Sequence, residues 1–88
     1  MITYNVSLRR DAANYLERCD TPTRERLIQK LNQLKADPFD PASSKPLKGQ
    51  KDRRSARVGG LRILFRVDDT QIMVSAIGPR GEIYKHNQ

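Results

Sequence analysis

Arg57 and Arg62 flank a Gly59-Gly60 pair. Glycines at such a point supply the positive-φ residues of a two-residue hairpin turn. Pairing outward from the turn sets Val58 against Leu61, Arg57 against Arg62, Ala56 against Ile63 and Ser55 against Leu64. Like charges directly opposed on one face of a sheet are destabilising, so the arginine pair makes sense if an anion sits between the two guanidinium groups. With a third arginine, Arg80, and a tyrosine, Tyr84, it points to a phosphate-handling site.

Few other chemistries have their residues. One cysteine and one histidine cannot make a zinc site, and Asp68-Asp69 reads as a turn, so neither a metal nor a cofactor is expected. There is no Ser/His/Asp arrangement, and the glycines match neither a P-loop nor a dinucleotide fingerprint. His86 reads as a terminal histidine, with proton transfer beside Tyr84 as the alternative. Arginines and a phenol suffice for one reaction. RNA carries its own nucleophile, the 2′-hydroxyl, which can attack the adjacent phosphate in line. Arginines stay charged and grip phosphate oxygens bidentately, which stabilises the charge that develops. A free tyrosine, with a pKa of about 10, is a poor base at neutral pH, and neighbouring cations would lower that value. A packing residue or a base-stacking platform is the other reading of Tyr84.

These side chains need a scaffold, and 88 residues make one domain, residues 1–88. Ile2, Tyr4 and Val6 alternate as a first strand, with Ser7 as the N-cap of a helix. Leu8, Ala12, Tyr15, Leu16 and Cys19 form one apolar helical stripe. Thr21 and Pro22 open a second helix that buries Leu27, Ile28, Leu31 and Leu34, and Asp37-Pro38 stops it. Residues 37–52 lack periodicity and read as a loop in which Leu47 plugs the core. Lys45, Lys48 and Lys51 lie along it, solvated by default, with phosphate contact the alternative. Arg54–Val58, Leu61–Val67 and Gln71–Ile77 then make a meander, turned at Asp68-Asp69-Thr70. Its middle strand sends Leu61, Ile63, Phe65 and Val67 toward the helices and Arg62, Leu64 and Arg66 the other way. Gly78-Pro79-Arg80-Gly81 turns the chain into a short final segment. The expected fold is α+β: a small two-layer domain with an N-terminal strand and an antiparallel two-helix hairpin packed on a mainly antiparallel twisted sheet.

Charge agrees with the open, basic face. Residues 1–44 hold seven Lys/Arg and six Asp/Glu, whereas residues 45–88 hold ten and four. Nearly all of the net +7 thus lies in the second half, which favours a polyanion, most often nucleic acid, with an acidic protein partner or an anionic membrane as the alternatives. A single cysteine, Cys19, fits a reducing compartment. Without an N-terminal apolar targeting run or a membrane span, the expected location is the cytoplasm.

At this point the chain resembles the RelE branch of the RelE/ParE toxin superfamily over nearly its whole length. The resemblance is carried by Pro46-Leu47-Lys48-Gly49, by the run from Arg57 to Phe65, and by Gly78-Pro79-Arg80-Gly81-Glu82-Ile83-Tyr84. It implies an endoribonuclease that cuts mRNA, typically in the ribosomal A site, and that a cognate antitoxin neutralises in a hetero-oligomer. It further implies catalytic roles for Arg57, Arg62, Arg80 and Tyr84. Lys48, Lys51, Arg54, Arg66 and Lys85 are then the expected RNA contacts. Ser55 stands where some relatives carry a second lysine, and Pro79 precedes Arg80 where many carry histidine. The ParE branch shares the scaffold but acts on DNA gyrase. The alternatives are therefore a ParE-type gyrase inhibitor or an inactive module that binds nucleic acid or antitoxin.

Overall fold

Alternating apolar residues build the sheet, and two helical stripes cover one side of it. The computed structural model describes residues 3–47 and 49–79, with the backbone alone at Gln50 and Lys51. Its elements are β1 (Asn5–Leu8), α1 (Arg10–Arg18), α2 (Thr21–Ala36), β2 (Lys45–Leu47), β3 (Gln50–Val58), β4 (Leu61–Asp68) and β5 (Gln71–Pro79). The five strands form one sheet in the order β1-β5-β4-β3-β2. β1 runs parallel to β5, and the other pairings are antiparallel. The expected two-layer α+β fold is the observed one, with the parallel edge strand making the sheet mixed.

The core lies between helices and sheet. Leu27, Leu31 and Leu34 of α2 and Ala12 of α1 meet Ala56, Ile63, Phe65, Ile72, Val74 and Ile77. Ile28, expected in that stripe, is 42% exposed. It sits one position off the 27-31-34 spacing whose residues are buried. Among the described residues no helix is long and apolar enough to cross a membrane.

The helix ends differ from expectation. Ser7 stays in β1, and Arg9 is the N-cap of α1, with no side-chain bond to the helix. Asp20, rather than Thr21, caps α2, accepting from the Thr23 backbone N–H at 3.3 Å. A hydrogen bond from the Thr23 side chain, reinforced by this backbone bond, holds the Asp20 carboxyl below its ordinary value. Arg24 closes the hairpin between the helices. Its guanidinium donates to the carbonyls of Leu16 at 3.2 Å, Glu17 at 3.0 Å and Cys19 at 2.9 Å. They lie at the C-terminal end of α1, where carbonyls run short of intrahelical donors; the Leu16 carbonyl also accepts from the Cys19 backbone N–H at 3.3 Å. Cys19 is half-buried beneath this clamp, and burial pushes its thiol up, as does nearby Asp20.

The span 37–52 is more ordered than a loop. It contains β2, and β3 begins at Gln50 instead of Arg54. The strands escape a periodicity search because β2 has three residues and its pairing with β3 shifts between Pro46 and Leu47. Leu47 does not plug the main core. It packs with Leu64 and Ala76 on the opposite face of the sheet. Gly78 and Pro79, expected in a turn, continue β5 to its pairing with Leu61 and Arg62.

A register shift between Leu64 and Phe65 pairs Leu64 with Ala76 and Phe65 with Val74, leaving Ser75 as the extra residue of a bulge. The bulge re-phases β5. Ile72 and Val74 point to the helices before it and Ile77 after it, while Ala76 joins Leu64 on the open side.

Candidate functional site

The β3–β4 hairpin has the register that the Gly-Gly turn implies, with Arg57 directly opposite Arg62. Only Gly59 is left-handed, at φ 60°, so the turn needs one such residue, at its first position, and not two. Because side chains alternate along a strand, Ala56 and Ile63 fall on the helix side, and Arg57 and Arg62 on the open side. Arg57 bends back to donate from Nε to the Gly59 carbonyl at 3.2 Å, which draws its head away from Arg62.

Both arginines line a cleft of about 420 Å³, shared with Lys30, Lys45, Ser55 and the loop Pro41-Ala42-Ser43-Ser44. Among the described residues no carboxylate lines it. Four cations around a space to which no described residue brings a counter-charge suit an anion, and the fork of an arginine suits phosphate oxygens.

Arg54 takes a different role from the expected phosphate contact. It pairs with Phe65 and shares the phase of Ala56, so it leaves β3 on the helix side. Its Nε donates to Ser44 Oγ at 2.8 Å, and a terminal nitrogen donates to the Ser44 carbonyl at 3.3 Å. The guanidinium carbon lies 5.3 Å from the ring centre of Phe39, which stands edge-on to Tyr4. Ser44, 4% exposed, passes the chain of bonds on by donating from Oγ to the Pro38 carbonyl at 2.6 Å. Arg54 thus holds residues 38–44 in place, and these include the outer wall of the cleft.

Arg66 does lie on the open face, where it is exposed and directly opposite Arg53. The Arg57–Arg62 opposition recurs here, four residues along each strand. Arg9, at the end of β1, joins them around a second notch of about 60 Å³ lined also by Met73 and Ser75. Sequence alone marks neither Arg9 nor Arg53, the latter because β3 reads from Arg54. Extending the hairpin register by one pair finds Arg53. Arg9 needs the β1–β5 pairing, which no local pattern signals.

Lys48, Arg80, Tyr84, Lys85 and His86 lie outside the described residues, as does the side chain of Lys51. Among the described residues no three His, Cys, Asp or Glu side chains cluster as metal ligands would.

Comparison with curated proteins finds no match. Solved structures share the fold. The chain superposes on a protein of the Mycobacterium tuberculosis RelBE2 toxin–antitoxin complex with a TM-score of 0.76 and 24% identity, over 90% of this chain and 100% of that one. The archaeal RelE–RelB complex of Pyrococcus horikoshii gives 0.76 and 23%, over 92% and 99%. A mutant of the Escherichia coli toxin RelE in the free state gives 0.81 and 20%, over 97% and 93%. The family model for the ParE toxin of type II toxin–antitoxin systems matches residues 6–84. That span takes in the helical hairpin, every strand of the meander and the cationic cleft, and the chain therefore belongs to this toxin family, within the RelE/ParE superfamily.

Proposed function

We propose that this toxin is an endoribonuclease that cleaves mRNA, in the ribosomal A site, and so blocks translation. The observation that carries the reading is the Arg57–Arg62 pair, two cationic residues paired across strands over a cleft that no described carboxylate lines. A phosphodiester placed there would relieve the repulsion and be gripped from two strands. In the reaction, the 2′-oxygen forms a bond to the adjacent phosphorus as its proton passes to a base. The bond to the 5′-oxygen breaks as that oxygen gains a proton, leaving a cyclic phosphate and a 5′-hydroxyl. Arg57 and Arg62 would stabilise the added negative charge, a kind of contribution for which the loss of one donor typically costs about 10²–10³-fold in rate. Arg80 is assigned the same role and Tyr84 the proton transfer. The solved RelE–RelB complexes support an antitoxin as partner, and a basic toxin face suits acidic and apolar residues of such a protein.

One observation favours a second reading. The matching family model is that of ParE toxins, and a ParE-type toxin acting on DNA gyrase would use the same face against a protein. In-vitro translation with mapping of mRNA 5′ ends separates the two. Codon-phased cuts that disappear in Arg62→Ala support the nuclease. Intact mRNA with accumulation of relaxed DNA in a gyrase assay supports the gyrase reading and overturns the first.

A further inference from the structure

Arg54 leaves β3 on the helix side, in phase with Ala56, where an apolar side chain would serve the core. A charge held partly away from water is costly unless it is well paired, so its partners show what it is for. Both of its hydrogen bonds go to Ser44, from Nε to Oγ at 2.8 Å and from a terminal nitrogen to the carbonyl at 3.3 Å. Its guanidinium carbon lies 5.3 Å from the ring centre of Phe39. All three contacts are to residues 38–44, and the guanidinium itself lies outside the lining of the Arg57–Arg62 cleft.

Residues 38–44 make a compact body. Asp40 folds it: its carbonyl accepts from the backbone N–H groups of Ser43 at 2.9 Å and Ser44 at 3.0 Å, and its Oδ1 from that of Ala42 at 2.9 Å. Ser44 Oγ closes it by donating to the Pro38 carbonyl at 2.6 Å. Buried Pro38 anchors one end, and β2 begins directly after the other. These bonds fix the shape of the segment but not its distance from the sheet between the two ends. Among the described residues, the side-chain hydrogen bonds that join it to the sheet are those of Arg54. Pro41, Ala42, Ser43 and Ser44 of the same body line the cleft with Arg57 and Arg62. The cleft thus has a wall whose place depends on a side chain outside it.

We propose that Arg54 is a positioning residue: through Ser44 it holds the wall at residues 41–44 at the distance from Arg57 and Arg62 that presents a phosphodiester for in-line attack. The role rests on the nuclease reading of that cleft. Arg57, Arg62 and the cleft lysines remain when Arg54 is lost, so its loss removes alignment and leaves binding in place. A misplacement of about 1 Å can cost about 10²-fold in rate. Such a loss appears in kcat and not in KM.

The test is Arg54→Met, which keeps an unbranched apolar stem and removes every donor. The wild type, Arg54→Met, Ser44→Ala and the double variant are compared by NMR amide order parameters and by steady-state mRNA cleavage, each below its melting temperature. Arg24→Met, which loosens the helix hairpin without touching the wall, controls for stability. In Arg54→Met the order parameters of Ala42 and Ser43 should fall from about 0.85 to below about 0.6. Its kcat should drop about ten-fold or more while KM stays within about three-fold. Arg54→Lys, which keeps a donor and the charge, should recover part of the loss. Ser44→Ala should show the same split between kcat and KM. The double variant should lose no more than the worse single one, since one tether is removed either way. Where Arg54→Met does not fold, Arg54→Lys and Ser44→Ala carry the test. Unchanged order parameters, an unchanged kcat, additive losses, or an equal loss of kcat in Arg24→Met would overturn the role and leave the Arg57–Arg62 reading standing. A wild type that cleaves no mRNA would overturn the nuclease reading, and the order parameters alone would then decide whether Arg54 holds the wall.

Discussion

Removing the charge of Arg62 should make the free protein more stable. Arg57 and Arg62 are directly opposed, and such a like-charge pair weakens a sheet by roughly 0.2–1 kcal/mol. Arg57 has already turned toward the Gly59 carbonyl, and water screens exposed heads. The lower part of the range therefore applies, about 0.2–0.5 kcal/mol. Arg62 has no side-chain hydrogen bond among the described residues, so Arg62→Gln removes a charge and forfeits no partner. For a domain of this size the gain corresponds to a Tm rise of about 1–4 °C. Calorimetry at low ionic strength measures it, and the rise should shrink near 1 M salt, where the Debye length is about 3 Å. A cycle with Arg57→Gln sharpens the test. The second substitution should gain less than the first, because the repulsion is removed only once. A destabilised Arg62→Gln, or single effects that simply add, refutes the repulsion and with it the reason to place an anion between the two. Loss of mRNA cleavage in the same stabilised variant would mark the site as one held at the expense of stability.

Tyr84→Phe and Tyr84→Ala divide the roles open to that residue. Equal, large losses of mRNA cleavage assign the hydroxyl, whereas an active Tyr84→Phe beside an inactive Tyr84→Ala makes the ring a stacking platform. Arg24→Met should destabilise by about 1.5–3 kcal/mol, the range for hydrogen bonds to a charged group. An unchanged urea midpoint would mean that the α1 carbonyls are equally well served by water. Asp20 contributes a pH dependence whose sign follows from its lowered pKa. Its stabilisation is complete above 3.8, the ordinary value, and is lost as pH falls from there toward the folded value. Asp20→Asn still caps the helix but does not titrate, so its stability should fall less than that of the wild type over that interval. Parallel acid limbs would remove Asp20 from the account.

Much of this molecule was readable wherever one strand carried both its fold and its chemistry. The alternation in β4 assigns Ile63 and Phe65 to the core and Arg62 and Arg66 to the open face, and the Gly-Gly turn transfers that assignment to β3. Arg54 broke the pattern because its partners, Ser44 and Phe39, lie in a segment without periodicity. Arg9 was missed because its place depends on a parallel pairing between the two ends of the described chain. The bulge at Ser75 inverts the phase of β5 midway, and alternation counted from Gln71 would send Ile77 to the wrong side. Both helix caps were placed by residue type, but Ser7 is claimed by the strand first, and Asp20 outcompetes Thr21 for the position one residue earlier.

The alternation of side chains in β3 and β4 also has a consequence for how such a toxin can diversify. Neighbouring positions on one strand answer to separate demands: Ala56 and Ile63 to the interior, Arg57 and Arg62 to whatever lies across the open face. Exchanging residues of the second set leaves the interior untouched, so target preference can drift without a search for a new scaffold. Insertions have no such licence, because one added residue in either strand would swap the two sets and lose both at once. Lineages built on this hairpin should therefore differ mainly by replacement along the open face and hold the length of β3 and β4 fixed.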